Sequence, residues 1–281
     1  MTKRLAGLVL AACSFSTCAS SQEARPRVVL DAVTFAGPGY QVLQDSAEQV
    51  ARVVEELIPG DAPTSVFCFT VAPEWGHAPI TLVGRPQPGE PAAAALYPVR
   101  VALTRNVLPA DRERFSFQLA HELAHVRMDA RFDSDIIETF AVAVSFEVLE
   151  RLGYKRYLRA AVESLIAPLP AEIREAVTNG SWNDVNSYLR KQRPYHQEHP
   201  FDYSLAAAGA MLIRSANLLP WNRLLGVAAK NECPARQEAP RFQFCPLNES
   251  ALPEFLPVFR LLGRAAAPDE LALQGLRAGG N

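Results

Sequence analysis

The apolar pattern of this chain changes period once, and that change limits what it can fold into. Up to residue 104, four short runs (RVVLDAVTF, TSVFCFTVA, PITLVG and YPVRVALT) are rich in β-branched and aromatic residues and are bounded by Gly and Pro, as strands are. Between the first two, YQVLQDSAEQVARVVEELIPG carries Val42, Leu43, Val50, Val53, Val54 and Leu57 at helical spacing and stops at Pro59-Gly60. From Asp111 onward helical signals dominate, and residues 111–128, 135–152, 154–167, 170–190, 203–217 and 251–264 are expected to be helices. The Pro- and Gly-rich stretch from 72 to 97 reads as a long loop around a strand. The implied class is α+β, with a small N-terminal mixed sheet and helices followed by a mainly helical C-terminal half. Residues 27–153 would form the first unit and residues 154–281 a helical C-terminal subdomain.

Composition sets the bounds. With 281 residues, 49% of them hydrophobic and 21% charged, the chain can bury a large core. Its net charge is -2 and no Lys/Arg run alternates with aromatics, so the electrostatic footprint of a nucleic-acid binder is missing. No internal repeat or low-complexity tract is present. The most apolar late segment, LAAAGAMLIRSANLL, is interrupted by Arg214 and Asn217 and is too short to span a bilayer.

The first 20 residues read as an export leader, not as part of the fold. Lys3 and Arg4 form a basic start, and the apolar run from Leu5 to Ala12 is far shorter than the roughly 20 residues that cross a membrane. Leu10, Ala11, Ala12 and Cys13 resemble a bacterial lipobox, which would make Cys13 the lipidated N-terminus; Ser14 after it would imply sorting to the periplasmic face of the outer membrane. Cleavage near Ala19, giving a soluble periplasmic or secreted protein, is the alternative. An oxidising compartment suits Cys233 and Cys245, which bracket a Pro-rich loop; a disulfide there would contribute about 3 kcal/mol by restricting the unfolded chain. Cys68, inside SVFCFTV, reads as a buried thiol; with Cys13 lipidated it would be the one partner left for Cys18.

Two of the five histidines fall in FSFQLAHELAHVRMDAR, four residues apart around a glutamate. On a helix that spacing puts His121 and His125 one turn apart on one face, where both imidazoles can reach one ion, with Glu122 beside the open coordination position. A zinc ion with three protein ligands keeps a water of lowered pKa, and Glu122 would take its proton as general base. Phe115, Leu119, Ala120, Leu123, Ala124 and Val126 surround the pair and imply a buried helix. The bland reading is a core helix whose histidines bond backbone carbonyls.

A catalytic zinc needs a third ligand. After the short polar link DARFDSD, the next helix brings Glu138 about as far from the turn as His125, and residues equally far from the turn of an antiparallel helical hairpin face one another. Glu147 would lie roughly 13 Å further along that helix, too far to share the ion. Asp129 and Asp133 are candidates to support the ligands from behind. Asp135 with Glu138 three residues on also spells a capping box, which accounts for both residues without metal.

The strand, the HELAH helix and a following helix with Glu138-Thr139-Phe140-Ala141 together resemble the gluzincin metallopeptidases over residues 98–152. The gap from His125 to Glu138 is shorter than in the best-known members, and Val142 stands where an aspartate often follows the glutamate. The resemblance implies a zincin-like fold, one Zn2+ per chain, and a peptide or protein substrate docked along YPVRVALT as an edge strand, near Val99 to Leu103. It also implies an oxyanion-stabilising side chain, for which Tyr195, His196, His199 and Tyr203 in RPYHQEHPFDYS are candidates; His77, in a Pro/Gly-rich loop, reads as incidental. Two other readings stay open: a zincin scaffold kept as a non-catalytic binding module of the envelope, and a zinc amidase acting on cell-wall peptides.

Overall fold

The computed structural model describes residues 27–59, 65–71, 79–86, 88–104, 111–128, 135–191 and 203–215. These form a mixed α/β structure, with a four-stranded sheet and a mostly helical remainder. The leader with Cys13 and Cys18, the Cys233–Cys245 loop and the helix expected at 251–264 lie outside the described residues.

The sheet runs in the order β1-β2-β4-β3. Strand β2 (Val66–Val71) is parallel to β1 (Val28–Leu30) on one side and to β4 (Val99–Thr104) on the other, and β3 (Ile80–Val83) is antiparallel to β4. Helix α1 (Tyr40–Leu57) makes the crossover from β1 to β2, as a parallel pair requires. The strand expected at the edge, YPVRVALT, is therefore an inner strand. Its own predecessor folds back onto it in the register Ile80↔Ala102 to Val83↔Val99, which leaves β1 and β3 as the outer strands among the described residues.

β1 is also shorter than the expected run to Phe35. Asp31 Oδ2 accepts the Thr34 N–H at 3.0 Å, which closes a turn, and the Thr34 hydroxyl accepts the Thr70 N–H at 3.1 Å. Every residue of β2 is buried, because both faces of the sheet are covered. Val66 and Cys68 join the helical core. Phe67, Phe69 and Val71 pack on the other face with Leu82, Ala102 and Ala94 of the short 3₁₀ turn Ala92–Leu96, and Tyr97 stacks on Phe67 with ring centroids 5.0 Å apart.

Helices α2 (Arg112–Arg127) and α3 (Asp135–Arg151) lie against one another, with α1 and β4 beside α2. The start of α2 is fixed by Asp111, whose carboxylate accepts the Arg114 N–H at 3.1 Å. Then come α4 (Lys155–Ile166), α5 (Ala171–Asn179), α6 (Trp182–Lys191) and α7 (Tyr203–Ser215). The single helix expected over 170–190 is in fact two. Gly180 takes a left-handed conformation (φ 74°), and the Gly180 and Ser181 N–H groups both turn back to the Ala176 carbonyl, a geometry that ends a helix and favours glycine. Small residues on α7 (Ala206, Ala207, Ala208, Ala210) are buried and let that helix lie close to α3. One continuous core runs from Val28 on β1 to Ile213 on α7, so the described helices after Gly153 share it with the sheet.

Candidate metal centre

Four polar side chains, Gln118, His121, Glu122 and His125, form a stripe at i, i+3, i+4 and i+7 along α2, and all four are buried. Apolar neighbours Phe115, Leu119, Ala120 and Ala124 are buried as well, so the helix is enclosed and its polar stripe faces partners inside the protein. Those partners come from two directions.

From α3, Glu138 reaches both histidines. Its Oε2 lies 3.0 Å from His121 Nε2 and its Oε1 lies 3.2 Å from His125 Nε2, while the two Nε2 atoms are 3.2 Å apart. The short link between the helices is thus compatible with the contact that the hairpin argument expected for His125, and His121 shares it. Both carboxylate oxygens point at the imidazoles, which answers the capping-box alternative by the direction the side chain takes. Glu138 Oε2 is buried and, despite its closeness to His121, accepts no properly aligned hydrogen bond.

The donor set fits a small divalent cation. Histidine nitrogens with their protons on Nδ1 and a carboxylate all turn lone pairs inward, and three acceptors about 3 Å apart repel unless a cation or proton lies among them. Tetrahedral zinc with bonds of about 2.0–2.1 Å would set such atoms about 3.3–3.4 Å apart, close to the observed edges. Among the described residues His121, His125 and Glu138 are the group able to hold a metal.

From the sheet, Thr81 of β3 meets Glu122. The Thr81 hydroxyl lies 2.8 Å from Glu122 Oε2 and 3.1 Å from the Glu122 backbone carbonyl. One turn earlier, Gln118 binds the end of β4: its Oε1 accepts the Thr104 N–H at 3.3 Å and its Nε2 donates to the Thr104 hydroxyl at 2.9 Å. The helix is therefore tied to two neighbouring strands by side chains one turn apart.

Electrostatics separate the two glutamates. Burial pushes the Glu122 carboxyl up from its ordinary range, and Glu138 adds to this, against the opposing pull of His121, His125 and the Thr81 hydroxyl. Burial would raise Glu138 too, but the two imidazoles beside it, His121 and His125, favour its ionised form more strongly and hold that carboxyl well below the usual carboxylate range. One site thus contains a carboxylate kept ionised by its partners and another with proton affinity to spare.

Tyr203 opens α7 and is 46% exposed. His77, Asp129, Asp133, Tyr195, His196 and His199 lie outside the described residues. Cys68 is a free, fully buried thiol, and Cys18, its expected partner, lies outside the described residues. Sequence reasoning missed Thr81 and Gln118. Gln118 was within reach, as a polar residue one turn before Glu122 inside an apolar run; Thr81, 41 residues from its partner, carried no signal.

Comparison of the chain with protein-family models, with curated protein sequences and with solved structures gives no match.

Proposed function

We propose that the chain is a zinc-dependent metallopeptidase of gluzincin type, built on a zincin-like core and working in the cell envelope after export. One observation carries this reading: the side chains of His121, His125 and Glu138, from two helices, converge with edges of 3.0–3.2 Å. Glu122 belongs to the same buried stripe.

His121, His125 and Glu138 would hold the zinc, which when bound supplies a Lewis acid and an acidified water. The rest is done by the chain itself. Glu122 receives a proton on the carboxylate oxygen that Thr81 does not engage and returns it to the leaving amine, a task suited to a carboxyl whose burial raises its proton affinity. Burial in α2 limits the access of bulk water to Glu122. An extended peptide would pair with the outer side of β3, the strand that carries Thr81, instead of with β4, whose two sides are taken by β2 and β3. Tyr203, His196 and His199 remain the proposed sources of an oxyanion donor. The leader gives the reading its compartment, with Cys13 as the proposed lipid anchor.

The test is metal content by elemental analysis on the purified protein and on Glu122→Ala and Glu138→Ala, with casein hydrolysis assayed on each. The expected pattern is about one zinc per chain in the wild type, retained without activity in Glu122→Ala and largely lost in Glu138→Ala. A wild type free of zinc after supplementation would sink the proposal. A zinc-loaded but inert wild type would turn it into the binding-module reading.

A further inference from the structure

Glu122 is a flexible side chain asked to keep one oxygen turned toward a reacting water, and the stripe it belongs to does nothing by itself to fix its rotamer. The structure supplies a restraint from outside the helix. Thr81 sits on β3 directly across from Val101 of β4, and Val101 belongs to the core on the helical face of the sheet. Its neighbours Ile80 and Leu82 point to the opposite face, into the cluster with Phe67 and Phe69. Strand alternation therefore aims the Thr81 hydroxyl at α2, where it meets both the side chain and the backbone of Glu122.

That hydroxyl has one proton and two acceptors within reach. The carboxylate oxygen is nearer, at 2.8 Å against 3.1 Å for the carbonyl, and a carboxylate is the stronger acceptor, so the proton goes to Oε2. With Oε2 held, the carboxylate plane and the direction of Oε1 are set.

We infer that Thr81 is a positioning residue for Glu122: it holds Oε2 so that Oε1 is the oxygen offered to the substrate water. The inference rests on the metallopeptidase reading and extends it to a residue outside the two helices. It also makes β3 a strand with two duties, since the four-residue strand that carries Thr81 is the outer strand along which a peptide would lie. Gln118 has the complementary role of fixing the helix to the neighbouring strand, so that the distance between Thr81 and Glu122 does not drift.

The experiment compares the wild type with Thr81→Val and Thr81→Ser for zinc content, thermal midpoint, kcat and KM on labelled casein, and the crystallographic conformation of Glu122. Valine keeps the branched shape that suits a strand and removes the donor; serine restores the donor. Thr81→Val is expected to keep its zinc, its KM within about twofold and its fold, to lose roughly 10- to 100-fold in kcat, and to show Glu122 in more than one rotamer, with Thr81→Ser recovering most of the loss. Unchanged kcat in Thr81→Val, or a loss that tracks KM or melting and is not rescued by serine, overturns the inference while leaving the metallopeptidase reading intact. If the wild type itself has neither zinc nor activity, that reading fails on its own. The structures then judge the restraint by itself: one and the same Glu122 rotamer in wild type and Thr81→Val overturns it, and release of Glu122 in Thr81→Val upholds the restraint while its catalytic use falls with that reading.

Discussion

Arg100 of β4 is fully buried and closes on Glu90 with Nε 2.6 Å from Oε2 and Nη2 3.2 Å from Oε1, while Nη1 and Nη2 also reach the carbonyls of Gly84, Arg85, Tyr97 and Pro98. A guanidinium in that position staples the excursion between β3 and β4 to the inner strand of the sheet. Removing one member leaves the other charge buried, so Arg100→Met is expected to cost about 3–5 kcal/mol, measured by denaturant unfolding. Because the excursion joins β3 to β4, the same variant should also disturb the Thr81–Glu122 contact. A loss under about 1 kcal/mol would show that neither the ion pair nor the carbonyl bonds of Arg100 hold the loop.

Cys68 gives a prediction about pH. Burial raises its thiol well above the ordinary range, with the charges of Glu122 and Asp31 acting in the same direction. As pH rises past about 8.5, the unfolded chain releases a proton that the native thiol keeps, so this group's contribution to stability is intact below that pH and falls above it. The wild type should therefore lose up to about 1.4 kcal/mol per pH unit relative to Cys68→Ala across that alkaline window. In the native protein at pH 8 the peptide containing Cys68 should stay unlabelled by iodoacetamide until denaturant is added. Rapid native labelling would contradict the burial.

What the sequence carried and what it withheld divide along a physical line. Local signals were enough for the first three helices: the stop at Pro59-Gly60, the cap at Asp111 and the spacing of His121 and His125 all act within a turn or two of chain, and α1, α2 and α3 fall close to where those signals lie. Strand order was not legible. Whether YPVRVALT is an edge or an inner strand depends on PITLVG folding back upon it, a pairing decided by long-range packing of Leu82 and Ala102 and by the Arg100 staple. The site divides in the same way. His121, Glu122 and His125 are one local pattern, Glu138 was expected because it lies about as far from the hairpin turn as His125, and Thr81 belongs to a strand whose placement no local rule gives.

The break between α5 and α6 was present in the sequence as Asn179-Gly180-Ser181 and was overridden by the apolar period on either side. At φ 74° Gly180 occupies a conformation that a Cβ strains, and that Cβ would stand 3.5 Å from the Trp182 ring nitrogen. Gly180→Ala should then destabilise the protein by about 1 kcal/mol. A stabilising effect, read from the shift in denaturant midpoint, would mean that the two helices merge once glycine is gone.

Linkage supplies a test of the metal centre that needs no substrate. Zinc that binds the folded chain through His121, His125 and Glu138 has no assembled site in the unfolded chain, because two of the ligands come from one helix and the third from another. Free zinc at about 1,000 times its dissociation constant should add about 4 kcal/mol to the unfolding free energy, and a chelator should remove it. His125→Ala should largely abolish the zinc-dependent rise in thermal midpoint. Glu122→Gln should preserve it, since that side chain binds Thr81 and not the ion. A rise of equal size in His125→Ala would place the stabilising zinc elsewhere on the chain and leave the His121–His125–Glu138 cluster as a proton-bridged core contact.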